Sequence, residues 1–89
     1  MARLSSAAYL THVPTVLRIA GYRFFFSNEG NEPPHIHVES AERYAKFWLE
    51  PIALVENYGF RSAELAEIRR QVEAHQAVLM ERWNEFFRR

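Results

Sequence analysis

Glu32-Pro33-Pro34-His35-Ile36-His37-Val38-Glu39 is the stretch on which the reading of this chain turns. Two prolines stiffen the approach, and polar residues then alternate with β-branched ones, the period of two that marks a strand. Alternation sends Ile36 and Val38 to one face and His35, His37 and Glu39 to the other. Alternate side chains on a face stand about 7 Å apart at roughly 3.3 Å per residue. Three groups able to ligate a metal or move a proton therefore project from one patch.

Working outward, residues 15–19 and 22–26 are rich in β-branched and aromatic types and flank Ala20-Gly21, the pattern of two strands joined by a two-residue turn. Residues 27–34 hold Asn28, Gly30, Asn31 and both prolines, which reads as a loop. After the strand that starts at His35, a tight connection at Ala41-Glu42 leads into a strand over 44–49, which Pro51 ends. Residues 52–60 predict a short fifth strand closed by Asn57 and Gly59. Ser62 is the expected N-cap of a helix, with Glu64 and Glu67 in its first turns, where the helix dipole favours anions. Leu65, Ile68, Val72, Leu79, Trp83 and Phe86 recur along one helical face, predicting one long C-terminal helix. The parts add up to an α+β fold, an antiparallel meander of four to five strands packed on one face by that helix. Residues 1–13 read as an N-terminal extension and 14–89 as a single domain.

Composition narrows the function classes. The 89 residues are 48 % hydrophobic and 15 % aromatic, enough for a small packed core. The absence of cysteine excludes disulfides, thiolate zinc sites and cysteine nucleophiles. Zero formal charge removes any whole-molecule attraction to nucleic acid or acidic lipid, so a basic surface must be local. No apolar run is long enough to span a membrane, and the first ten residues lack a signal-peptide core. A soluble cytoplasmic protein without membrane association is expected.

Hairpin arithmetic sharpens the polar face. A turn at Ala20-Gly21 sets Arg18 opposite Arg23, a like-charge pair that costs a few tenths of a kcal/mol or more. A turn at Ala41-Glu42 pairs Glu39 with Tyr44, His37 with Lys46 and His35 with Trp48. Ala45, Phe47 and Leu49 then join Ile36 and Val38 against the helix. The opposite face carries His35, His37, Glu39, Lys46, Trp48, Arg18 and Arg23, an accessible cationic and aromatic patch.

Four readings of that patch stand open. His35, His37 and Glu39 can ligate zinc or another divalent transition metal. Arg18, Arg23 and Lys46 can hold phosphate while Trp48 stacks on a base, which makes an RNA-binding face with no cofactor. His35 and His37 can serve as general acid and base for metal-independent RNA cleavage. The fourth is a docking face for a partner protein or a second copy of the chain, centred on Trp48. His75 falls in the apolar stripe of the helix and reads as a core-edge residue with one hydrogen bond. His12, in the extension, has no visible partner.

The stretches Pro14-Thr15-Val16-Leu17-Arg18-Ile19, Gly21-Tyr22-Arg23-Phe24-Phe25-Phe26-Ser27-Asn28-Glu29 and Glu32-Pro33-Pro34-His35-Ile36-His37-Val38 resemble a family of small bacterial proteins, domain of unknown function 4160. Ala45-Lys46-Phe47-Trp48-Leu49-Glu50-Pro51, Asn57-Tyr58-Gly59-Phe60 and the ending Trp83-Asn84-Glu85-Phe86-Phe87 are similar to its later motifs. The resemblance covers about residues 14–87. Two departures are a longer leader before Pro14 and a hairpin, Ser40-Ala41-Glu42-Arg43, without the usual glycine. The resemblance implies a cytoplasmic bacterial protein encoded beside another small gene, in a toxin–antitoxin-like pair, and it implies no established activity. The expectation is thus a small module that acts on RNA through His35 and His37, or that is sequestered by the partner its neighbouring gene encodes.

Overall fold

The protein is described by a computed structural model over residues 15–88; the expected N-terminal extension and His12 lie outside the described residues. Five strands, β1 (Thr15–Ile19), β2 (Tyr22–Phe25), β3 (His35–Ser40), β4 (Arg43–Leu49) and β5 (Ile52–Tyr58), form one antiparallel sheet in chain order. Two helices follow, α1 (Ser62–Ala74) and α2 (Gln76–Phe86). This is the expected α+β meander.

The turns set the register. Ala20 (φ 53°) and Gly21 (φ 84°) are both left-handed, as a type I′ hairpin requires, and Arg18 does pair with Arg23. Ala41 is left-handed as well (φ 55°), so this hairpin turns without glycine at a cost of about 1–2 kcal/mol. It aligns His35 with Trp48, His37 with Lys46 and Glu39 with Tyr44, as the hairpin arithmetic predicts.

One face of the sheet makes the core. Phe24, Ile36, Val38, Ala45, Phe47 and Leu49 are buried there, covered by Ile68 and Val72 of α1 and by Leu79 and Trp83 of α2. Each large aliphatic or aromatic side chain so buried contributes about 1.5–3 kcal/mol relative to exposure. The apolar stripe read from the sequence is therefore the packing face.

The single long helix of the sequence reading is two helices. A straight helix over 62–86 would run about 37 Å at 1.5 Å per residue, whereas a seven-residue strand spans only about 23 Å. The chain breaks at His75, whose backbone (φ −115°, ψ 16°) leaves the helical region. The break is held by side chains. His75 Nδ1–H donates to the Gln71 carbonyl at 2.8 Å, and the Gln76 amide donates to the Leu49 carbonyl at 2.6 Å. His75 is half-buried with one ring hydrogen bond, as expected. Ser62 proves to be the first helical residue and Arg61 the N-cap. The Glu64 carboxylate accepts the Arg61 backbone N–H at 2.9 Å and also pairs with Arg43. No helix among the described residues is long and apolar enough to cross a membrane.

Candidate functional site

The register puts His35, His37, Glu39, Lys46 and Trp48 on the face away from the helices, as read from the sequence. Their environment differs from the open patch expected. His35 is 0 % exposed and His37 4 %. The expectation of accessible imidazoles is corrected on two counts. The 27–34 loop folds back against the start of β3, and Trp83 of α2 brings its ring centre to 5.0 Å from that of His35. Trp48, half-buried, closes from β4, edge-on to His35 at 6.0 Å.

The loop is pinned along its length. The Leu49 N–H donates to the Pro34 carbonyl at 3.0 Å, extending the β3–β4 ladder past His35. The Glu32 N–H closes a turn onto the Glu29 carbonyl at 3.2 Å. Glu32 also accepts from Lys46 Nζ at 2.6 Å. These anchors deliver the Glu29 carboxylate to the two imidazoles, its Oε1 lying 3.1 Å from His35 Nε2 and 3.4 Å from His37 Nε2.

The far side of each ring is equally fixed. His35 Nδ1 lies 2.9 Å from the Pro33 carbonyl, and His37 Nδ1 lies 2.6 Å from the Tyr44 hydroxyl. A carbonyl only accepts, so Nδ1 of His35 carries the hydrogen and a neutral ring turns the Nε2 lone pair toward Glu29. An ionised carboxylate also only accepts. Two acceptors thus face each other unless a positive charge, a proton or a metal ion, lies between them. Burial first, and then the neighbouring His35, push the His37 pKa down to about 4. That imidazole is neutral at pH 7, the form that ligates metal. Burial, reinforced by Glu56, pushes the Tyr44 phenol up to about 12, so it keeps its hydrogen.

The ligand atoms of Glu29, His35 and His37 all lie within 4.8 Å of one another. For bonds of about 2.0–2.1 Å at tetrahedral angles, neighbouring ligands stand about 3.3–3.4 Å apart. Two of the three ligand spacings, the 3.1 and 3.4 Å around Glu29 Oε1, are close to that geometry. Glu39, the carboxylate named from the sequence as the third ligand, is placed elsewhere, accepting from Arg23 at 2.7 Å. Glu29, from a loop, is the carboxylate that meets the two imidazoles. Periodicity could not reveal this, because only the return of the chain at Pro33-Pro34 brings Glu29 to the sheet. Ser27, with Oγ 2.9 Å from His37 Nε2, and Tyr44, read from the sequence only as the cross-strand partner of Glu39, are further partners of His37.

The expected cationic patch is largely neutralised. Arg23 pairs with Glu39 and rests over the Phe25 ring at 4.4 Å. Lys46 pairs with Glu32, and that hydrogen bond holds the Glu32 carboxyl below its usual range. Lys46 also lies 5.3 Å from the Trp48 ring. Arg18 stays exposed on β1.

With this geometry in place, comparison with known proteins returns one family model. Described as Domain of unknown function (DUF4160), it matches residues 21–84, a span containing Glu29, His35 and His37. No curated protein and no solved structure matches the chain.

Proposed function

The chain belongs to the DUF4160 family, whose description assigns no activity, and from its site geometry we propose that it is a binding module for a divalent transition-metal ion. One observation carries this. Both imidazoles are tied at Nδ1 to partners behind them and aim Nε2 at the same Glu29 oxygen. Partners on the second ring nitrogen orient metal-ligating histidines, and a carbonyl, as behind His35, also fixes the tautomer. Two nitrogens and one oxygen, with no sulfur, suit zinc, cobalt or ferrous iron better than calcium or magnesium, which prefer all-oxygen shells.

The test is zinc stoichiometry on protein purified without a histidine tag, by elemental analysis and calorimetric titration. About one ion per chain is expected, and it should be lost in His35→Ala and in Glu29→Ala. Folded protein by circular dichroism that takes up no stoichiometric zinc, cobalt or iron would remove the reading. RNA cleavage by a free histidine pair has less support, since both rings are buried and Arg23 and Lys46 each carry a carboxylate partner. A toxin–antitoxin-like role draws on a different observation. Leu54 and Tyr58, large and exposed, lie on edge strand β5, where a partner protein would dock. Mixing the chain with its neighbouring gene's product tests that role by size-exclusion chromatography, with Tyr58→Glu as the variant that should not bind.

A further inference from the structure

The centre formed by Glu29, His35 and His37 supplies three ligand atoms, and its exposure is lopsided. The His35 side chain is sealed and that of His37 nearly so, while the Glu29 side chain is 44 % exposed. A fourth ligand therefore has its way in from the loop side, past Glu29. Two donors already stand there. Lys46 Nζ lies 3.9 Å from the same Glu29 Oε1, and Ser27 Oγ lies 2.9 Å from His37 Nε2. An ammonium and a hydroxyl are groups that hold an oxyanion by hydrogen bonds, the ammonium with charge assistance.

Charge points the same way. Among these neighbours two carboxylates, Glu29 and Glu32, stand beside one ammonium, Lys46. A divalent ion adds two positive charges there, which favours an anion as the next ligand. Three protein ligands plus one open position is also the arrangement of zinc sites that bind an exogenous group, as distinct from closed structural ones.

Resting on the metal-binding reading above, we infer that the loaded centre takes a phosphate group as its fourth ligand, bound to the metal and held by Lys46 and Ser27. The Lys46 ammonium has three hydrogens and serves the phosphate while keeping Glu32. Inorganic phosphate and the phosphodiester of a nucleic acid strand share this chemistry.

The test uses the full chain loaded with cobalt(II), whose visible bands report coordination. Titrating inorganic phosphate should shift those bands saturably. Compared at saturating cobalt, Lys46→Met should bind phosphate about tenfold or more weakly than the parent, the size expected for losing one charge-assisted hydrogen bond. Lys46 is buried, so Ser27→Ala provides a second variant, expected to weaken phosphate in the same sense. A short single-stranded oligoribonucleotide in place of phosphate separates the two sources; tighter binding than phosphate identifies the strand, and equal or weaker binding identifies free phosphate. Cobalt bound with a spectrum that phosphate leaves unmoved would overturn the inference, as would both variants responding like the parent. Failure to bind cobalt at all would defeat the metal-binding reading itself.

Discussion

Glu29→Gln should move metal binding and metal-free stability in opposite directions. The substitution keeps the side chain's shape and exchanges an acceptor for a donor at the point where the carboxylate meets His35. In the parent without metal and with a neutral His35 ring, two acceptors, Glu29 Oε1 and His35 Nε2, stand 3.1 Å apart. A glutamine amide supplies the missing hydrogen, a net gain of about 1 kcal/mol for one hydrogen bond. For a domain of this size that is a rise of about 4–8 °C in Tm. Zinc reverses the order. At zinc 100-fold above its Kd the parent gains about 2.7 kcal/mol. If the lost ligand weakens binding about 100-fold, the same zinc gives the variant only about 0.4 kcal/mol. Thermal unfolding followed by circular dichroism, in chelator and in excess zinc, reads both effects. The reasoning fails if the variant melts well below the parent in chelator. Glu29 would then be accepting from a protonated imidazole, a charge-assisted bond whose loss costs about 1.5–3 kcal/mol, and the centre would hold a proton in place of a metal.

Three further outcomes are expected. Metal-free stability should fall as pH drops from about 6.5 to about 4, because the folded His37 resists protonation down to about 4 while the unfolded ring takes its proton near 6.5, so the unfolded state binds more protons across that window. The full loss is at most about 3.4 kcal/mol; urea midpoints at several pH values measure it, and His37→Gln should flatten the slope. Tyr44→Phe removes the group behind His37 Nδ1 and should weaken zinc about 10–100-fold, seen by calorimetry, with the fold kept by its remaining ring contacts. Gly59→Ala should cost about 1–2 kcal/mol, because Gly59 is at φ +97° and a Cβ there would meet Arg43 Cγ at 2.9 Å; an unchanged urea midpoint would contradict this.

Much of the fold is legible because strands and hairpins are local. Alternation at His35-Ile36-His37-Val38 and the positions of Ala20-Gly21 and Ala41-Glu42 are enough to pair His37 with Lys46 and Arg18 with Arg23, as observed. The apolar stripe from Leu65 to Phe86 likewise identifies what covers the sheet. The break at His75 is not legible, since it is held by a bond from Gln76 to the Leu49 carbonyl, 27 residues back.

The candidate site divides along the same line. The chain's own pattern places both histidines on one face, beside Lys46 and across from Trp48, because side-chain direction in a strand follows from residue parity alone. Tertiary structure selects Glu29 over Glu39 as the carboxylate they meet, buries the rings under the loop and Trp83, and sets acid partners on Arg23 and Lys46. Those outcomes depend on where a loop without periodicity returns and on how far a helix overhangs a sheet. Both are set by contacts between distant residues, for which no local repeat in the chain provides a signal.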